Sequence, residues 1–100
     1  MTPTIGRIVH YKLRAADAEQ INRRREDGKS ERSASQDKSG AQVHVGNPAS
    51  EGQTVAMIIV AVWSGDDVNG QVILDGNDAL WVNTVARGQG FGNWDWPPRT

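Results

Sequence analysis

The sequence has no cysteine. That excludes disulfides, thiolate nucleophiles and every cysteine-ligated metal site. Histidine is almost as scarce: His10 and His44 are the only imidazoles. No Gly-x-Ser-x-Gly elbow is present, so the nucleophile–base–orienter set of a hydrolase has no foothold. No apolar run approaches the 18 residues of a membrane-spanning helix. The first residues, Met1-Thr2-Pro3-Thr4, lack the basic and apolar blocks of a signal peptide, so a cytoplasmic location is expected. Ile, Leu, Val and Phe total 20 of 100 residues, at the lower edge for a folded chain. A formal charge of −1 speaks against a generally basic nucleic-acid binder. These absences leave binding as the expected role and make an enzyme the least favoured reading.

Apolar and charged residues are unevenly spread. Residues 1–42 carry nine Lys/Arg and six Asp/Glu (net +3), whereas residues 43–98 carry only Arg87 against six acids (net −5). Between Arg14 and Gln42 the only large aliphatic is Ile21, so the core must come from the two ends of one domain spanning residues 1–100. Residues 4–13 read as a strand, with Ile5, Val9, Tyr11 and Leu13 on one parity, interrupted by Arg7. Residues 15–27 read as a helix with Gly28 as its stop. Its thin stripe of Ala18 and Ile21 requires packing on the main body or on another subunit. Residues 29–40 read as a flexible polar loop. Residues 55–63 are apolar at both parities and predict a central strand buried on both faces, with Trp63 in the core. Residues 68–74 and 80–86 form a hairpin across Asp75-Gly76-Asn77-Asp78. A glycine-rich crossing at residues 88–92 leads to a last strand around Asn93-Trp94-Asp95-Trp96. The expected fold is mainly β: a small bent antiparallel barrel or roll of the SH3-like kind. It has about five strands, or six if residues 42–45 add one, with the helix and polar loop inserted between the first two main strands.

Few residues can carry chemistry. Arg23, Arg24 and Arg25 fan over about 200° of a helix, so one or two can meet a phosphate while the third is solvated or paired with a neighbouring acid. Trp94 and Trp96 lie two apart and project from one strand face, where two indoles can grip a planar ligand or cover a barrel end or subunit interface. Trp81 opens a hairpin strand. His44 and Asn77 are candidates for further polar contacts. The acidic clusters lack a calcium-loop pattern, and no metal or cofactor is expected. The glycine-rich run has no following helix with which to cradle phosphate.

Several strings carry a resemblance: Ile5-Gly6-Arg7-Ile8-Val9-His10-Tyr11, Asp17-Ala18-Glu19-Gln20-Ile21-Asn22-Arg23-Arg24-Arg25, Gly40-Ala41-Gln42-Val43-His44-Val45-Gly46-Asn47, and Val68-Asn69-Gly70-Gln71-Val72-Ile73-Leu74-Asp75-Gly76-Asn77-Asp78-Ala79-Leu80-Trp81-Val82, with the closing Trp94-Asp95-Trp96-Pro97. Together they resemble a family of small, functionally unassigned proteins of tailed phages and prophages. Phage origin implies action by binding rather than catalysis. By analogy with phage sponges that sequester nucleotide signals of bacterial defence (anti-CBASS and anti-Thoeris proteins), the first expectation is a non-enzymatic binder of a small anionic nucleotide-type ligand. Arg23, Arg24, Arg25, Trp81, Trp94, Trp96, Asn77 and His44 would contact that ligand. The alternatives are a structural or protein-interaction module such as a virion accessory, and a single-stranded nucleic-acid binder, which the acidic second half disfavours. A homo-oligomer built through the helix or the tryptophan strand is expected, without membrane association.

Overall fold

The computed structural model describes residues 2–34 and 44–98. β1 (Ile8–Lys12) leads into α1 (Ala15–Ala34), which is followed by β2 (Thr54–Val62), β3 (Val68–Ile73), β4 (Ala79–Val85) and a short β5 (Trp94–Asp95). The strands form one five-stranded sheet in the order β4-β3-β2-β1-β5, with every neighbouring pair antiparallel. The sheet rolls without closing. After β4, the Trp94 amide donates to Ala86 O and the Gly88 amide to Trp94 O, joining the two edges at the single Arg87–Trp94 bridge. The protein is therefore the mainly β, barrel-like fold that the strand pattern predicts, with the helix inserted between the first two strands.

Alternation decides the core. Val9 and Tyr11 of β1, Met57 and Ile59 of β2, Val72 of β3, Leu80 and Val82 of β4, and Trp94 of β5 all face inward and are buried. Ile21 is the helix's one large aliphatic in this cluster, worth about 1.5–3 kcal/mol of burial.

Two expectations about β2 need correction, and one feature explains part of both. β2 is central, but only its inner face is buried: Val60 and Trp63 are exposed and Ile58 is half-buried. The register against β3 slips between Ile59 and Ala61. A bulge of one residue reverses every later side chain. Val62 thus faces inward opposite Val68, while Trp63 turns out to the surface, where its indole N–H donates to Asn69 Oδ1 at 2.9 Å.

The helix also departs from expectation. Gly28 does not end it; α1 continues through Ala34. Lys29, Glu31 and Arg32 are good helix formers, and they carry the helix past a glycine that costs about 1 kcal/mol. Six residues of the expected polar loop are therefore helical, and the remainder lies outside the described residues. Of the possible strand at residues 42–45, the first two positions also lie outside them. Val45 is not in a strand; next to it stands the isolated Gly46–Gly76 bridge.

Candidate functional site: a groove between the first and last strands

The arginines singled out in the sequence sit on α1 and divide as the helical fan predicts. Arg23 is exposed and pairs with Glu19 at 3.1 Å. Arg25 is buried and grips both oxygens of Asp78, Nη1 to Oδ2 at 3.0 Å and Nη2 to Oδ1 at 3.1 Å. Its Nε donates to Asn47 O. Arg24 Nη1 donates to the same Asp78 Oδ2 and to Ala79 O, each at 3.0 Å. His44 Nδ1 stands 3.7 Å from that oxygen. Burial pushes the Asp78 carboxyl upward, but the hydrogen bonds from Arg25 and Arg24 outweigh it and hold it below the usual carboxylate range.

The strand-to-strand turn at residues 75–78 reaches this cluster through backbone contacts. Asn77 Oδ1 accepts from the Val45 amide, and the Asn77 amide donates to Val45 O. The crossing needs two glycines. A Cβ on Gly46 would lie 2.4 Å from Asp75 O, and one on Gly76 would lie 2.5 Å from Val45 O and 2.8 Å from Arg25 Nη2. Arg24, Arg25, His44 and Asn77 are thus brought together, and what they assemble around is a carboxylate of the chain itself.

The N-terminal end of α1 is anchored in the same manner. Asp17, at the third helical position, accepts from the Arg14 amide in capping-box fashion. It also accepts from Arg14 Nε and Nη2 and, at 2.6 Å, from the Tyr11 hydroxyl. Burial raises the Asp17 carboxyl, and the hydrogen bonds from Arg14 and Tyr11 reverse the sign, leaving it low. Burial and then the Asp17 hydrogen bond push the Tyr11 hydroxyl above its ordinary value. Between the two anchors, Asn22 exchanges both amide hydrogen bonds with the backbone of Ala49. The helix docks through a polar stripe, which a count of apolar residues does not register.

The tryptophans separate. Trp94 is fully buried, and its indole N–H donates to Asp66 O at 2.8 Å. Trp96 meets it edge-on with 5.3 Å between ring centroids and is only partly buried, with the Arg7 guanidinium 5.2 Å from its ring centre. Trp81 lies on the outer face of β4. Asp78, which holds the arginines, precedes β4, whereas the Trp94 bridge follows it, roughly 20 Å further along the strand. The arginines and the Trp94–Trp96 pair therefore do not form one site.

A groove of about 400 Å³ opens beside Trp96. It is lined by His10, Tyr11 and Lys12 of β1, Thr54 of β2, the glycine-loop residues Gly88, Gln89 and Asn93, and Asp95, Trp96 and Pro98. The antiparallel register sets His10 directly opposite Asp95. Asp95 is already engaged by Arg87 at 2.9 Å, by Gln89 Nε2 and by the Trp96 amide. The Arg87 bond is the main cause of its lowered carboxyl pKa. Lys12 Nζ donates to Gln89 O at 3.1 Å; among the described residues this is its one hydrogen bond, and an ammonium carries three N–H donors. Trp96 Nε1 is buried and has no hydrogen-bond acceptor among the described residues.

Of these groove residues, sequence reasoning singled out Trp96 alone. The signal for the others was slight: His10 and Lys12 share a parity, but nothing local tells that residue 10 pairs with residue 95. Among the described residues no three carboxylate or imidazole groups gather as metal ligands do, and no helix is long and apolar enough to cross a membrane. Compared with protein-family models, curated proteins and solved structures, the chain matches none.

Proposed function

We propose that the protein is a non-enzymatic binder of a small anionic ligand with a planar ring, of nucleotide type, held in the groove beside Trp96. The observation that carries this reading is the juxtaposition of the cationic Lys12 and the partly buried indole of Trp96 on a groove of about 400 Å³. That volume falls in the range of small-molecule sites. Asp95 is neutralised by Arg87, so Lys12 sets the sign of charge offered to a ligand. Arg24 and Arg25 are spent on Asp78, so the anion contact moves from the helix to β1. Together with the resemblance to small phage proteins, this reading gives the protein the role of a sponge that sequesters a nucleotide signal.

Isothermal titration calorimetry against mononucleotides, cyclic dinucleotides, cyclic trinucleotides and ADP-ribose derivatives tests it. A ligand bound tighter than micromolar and recovered chemically unchanged supports it. Turnover of the ligand, or silence across the panel by a folded protein, contradicts it, and silence favours the structural or protein-interaction alternative.

A further inference from the structure

Across β2, β3 and β4 the outer face of the sheet carries apolar and neutral polar side chains; His10, Lys12 and Asp95 stand on the same face at its β1–β5 border. Ala56, Ile58, Val60, Ala61 and Trp63 of β2 and its extension, Asn69, Gln71 and Ile73 of β3, and Ala79, Trp81 and Asn83 of β4 bear no ionisable group. Ile8, Ile58, Gln71 and Trp81 stand in register as one row across four strands. Ile8 is 58% exposed, Val60 39%, Trp63 64%, Ile73 45% and Trp81 55%.

We propose that this face packs against the same face of a second copy of the chain, making a two-fold dimer with the form of a two-sheet sandwich. Three observations select this occupant. The first is area: two half-exposed indoles and the neighbouring aliphatic side chains offer on the order of 500 Å² of apolar surface. One side of a standard dimer buries about 800 Å², of which about 65% is apolar in homodimers. The second is charge. The β2–β4 part of the face is neutral, so it meets its own copy without opposing like charges in a two-fold contact, while the charged groups Lys12 and Asp95 stay at its β1–β5 border. The third is β2 itself, which is apolar at both parities over residues 55–63 as strands buried on both faces are. One chain buries only the inner parity, and the second sheet, packed about 10 Å away, buries the other. This inference does not depend on the ligand reading.

Sedimentation equilibrium of the full chain at about 1–100 µM tests the proposal. The wild type is expected near 22 kDa, twice the chain mass of 10.9 kDa. Trp81→Glu and Ile73→Lys each place a charge in the contact and are expected to raise the dimer dissociation constant at least 100-fold. Both side chains are already solvent-exposed in the single chain, so the circular dichroism of each variant should match the wild type, and melting should differ only by the stabilisation that association gives the dimer. Arg23→Glu, on the exposed face of α1, is expected to leave the dimer intact. A wild type of about 11 kDa at 100 µM overturns the proposal. So does a dimer that survives both outer-face charges, or one that Arg23→Glu dissolves, which would place the contact on the helix. A monomer that pairs only with a different protein also overturns it.

Discussion

At Asp78 two guanidiniums share one buried carboxylate, and the loop at residues 44–47 is tied in through Arg25 and Asn47. Removing the charge leaves Arg25 buried without its partner. Asp78→Asn is therefore expected to destabilise the fold by about 3–5 kcal/mol in guanidinium denaturation, whereas Arg23→Ala, on an exposed pair, should cost less than about 0.5 kcal/mol. The pH dependence has a definite sign. Asp17 and Asp78 have lowered pKa values in the folded protein, so the stability they contribute is complete above the unfolded value of about 3.9 and is lost as pH falls through their folded values. Denaturation midpoints should be level from about pH 7 to 5 and then drop, with a shallower drop in Asp78→Asn. Tyr11 behaves oppositely. Its pKa is raised, so its contribution is complete below about pH 10 and is lost as pH rises further. Tyr11→Phe should cost about 1.5–3 kcal/mol at pH 7, as expected for a hydrogen bond to a charged group, and should remove part of the alkaline loss. None of this was legible from residue types. Asp78 reads as turn chemistry, and only the fold reveals that its carboxylate and that of Asp17 are buried where α1 meets the sheet.

Elements were easier to read than their faces. The five strands, their order along the chain and the inserted helix follow from β-branched runs, turn residues and the switch to Ala, Glu and Arg after Leu13. The placement of Trp63 failed because the bulge between Ile59 and Ala61 has no marker in an unbroken apolar run. The helix end failed because Gly28 is a stop only when the following residues disfavour helix, and Lys29, Glu31 and Arg32 do not. That α1 packs on the main body was one of the two expected arrangements; its polar manner was not legible, because its buried positions include Asp17 and Arg25 beside Ala18 and Ile21, so hydropathy shows little of the periodicity that burial shows. The crossing of the turn at residues 75–78 over Gly46 gives a test at this scale. Gly76→Ala drives a methyl into Val45 O and Arg25 Nη2 and is expected to cost about 1–3 kcal/mol, read as a lowered denaturation midpoint. An unchanged midpoint would show that the 44–47 segment is not held against the turn.

Across the whole molecule, polar anchors fix the helix on one side of the rolled sheet, a neutral apolar face lies open on the other, and the groove of Lys12 and Trp96 runs along the β1–β5 edge. The candidate site was partly legible: Trp96 announced itself by its spacing from Trp94. Its neighbours His10, Lys12 and Thr54 are brought to it by strand pairings across 40 to 85 residues, which no local pattern encodes. The ligand reading therefore separates two sets of charged residues. Calorimetry of one ligand from the nucleotide panel with wild type, Lys12→Ala and Arg24→Ala tests this separation most directly. Lys12→Ala, which removes a half-buried side chain whose amine bonds only a loop carbonyl and should cost about 1 kcal/mol of stability or less, is predicted to weaken binding about ten-fold or more, and Arg24→Ala to leave the affinity of the folded protein unchanged. Equal affinity in Lys12→Ala together with a loss in Arg24→Ala would contradict the account and return the ligand to the helix.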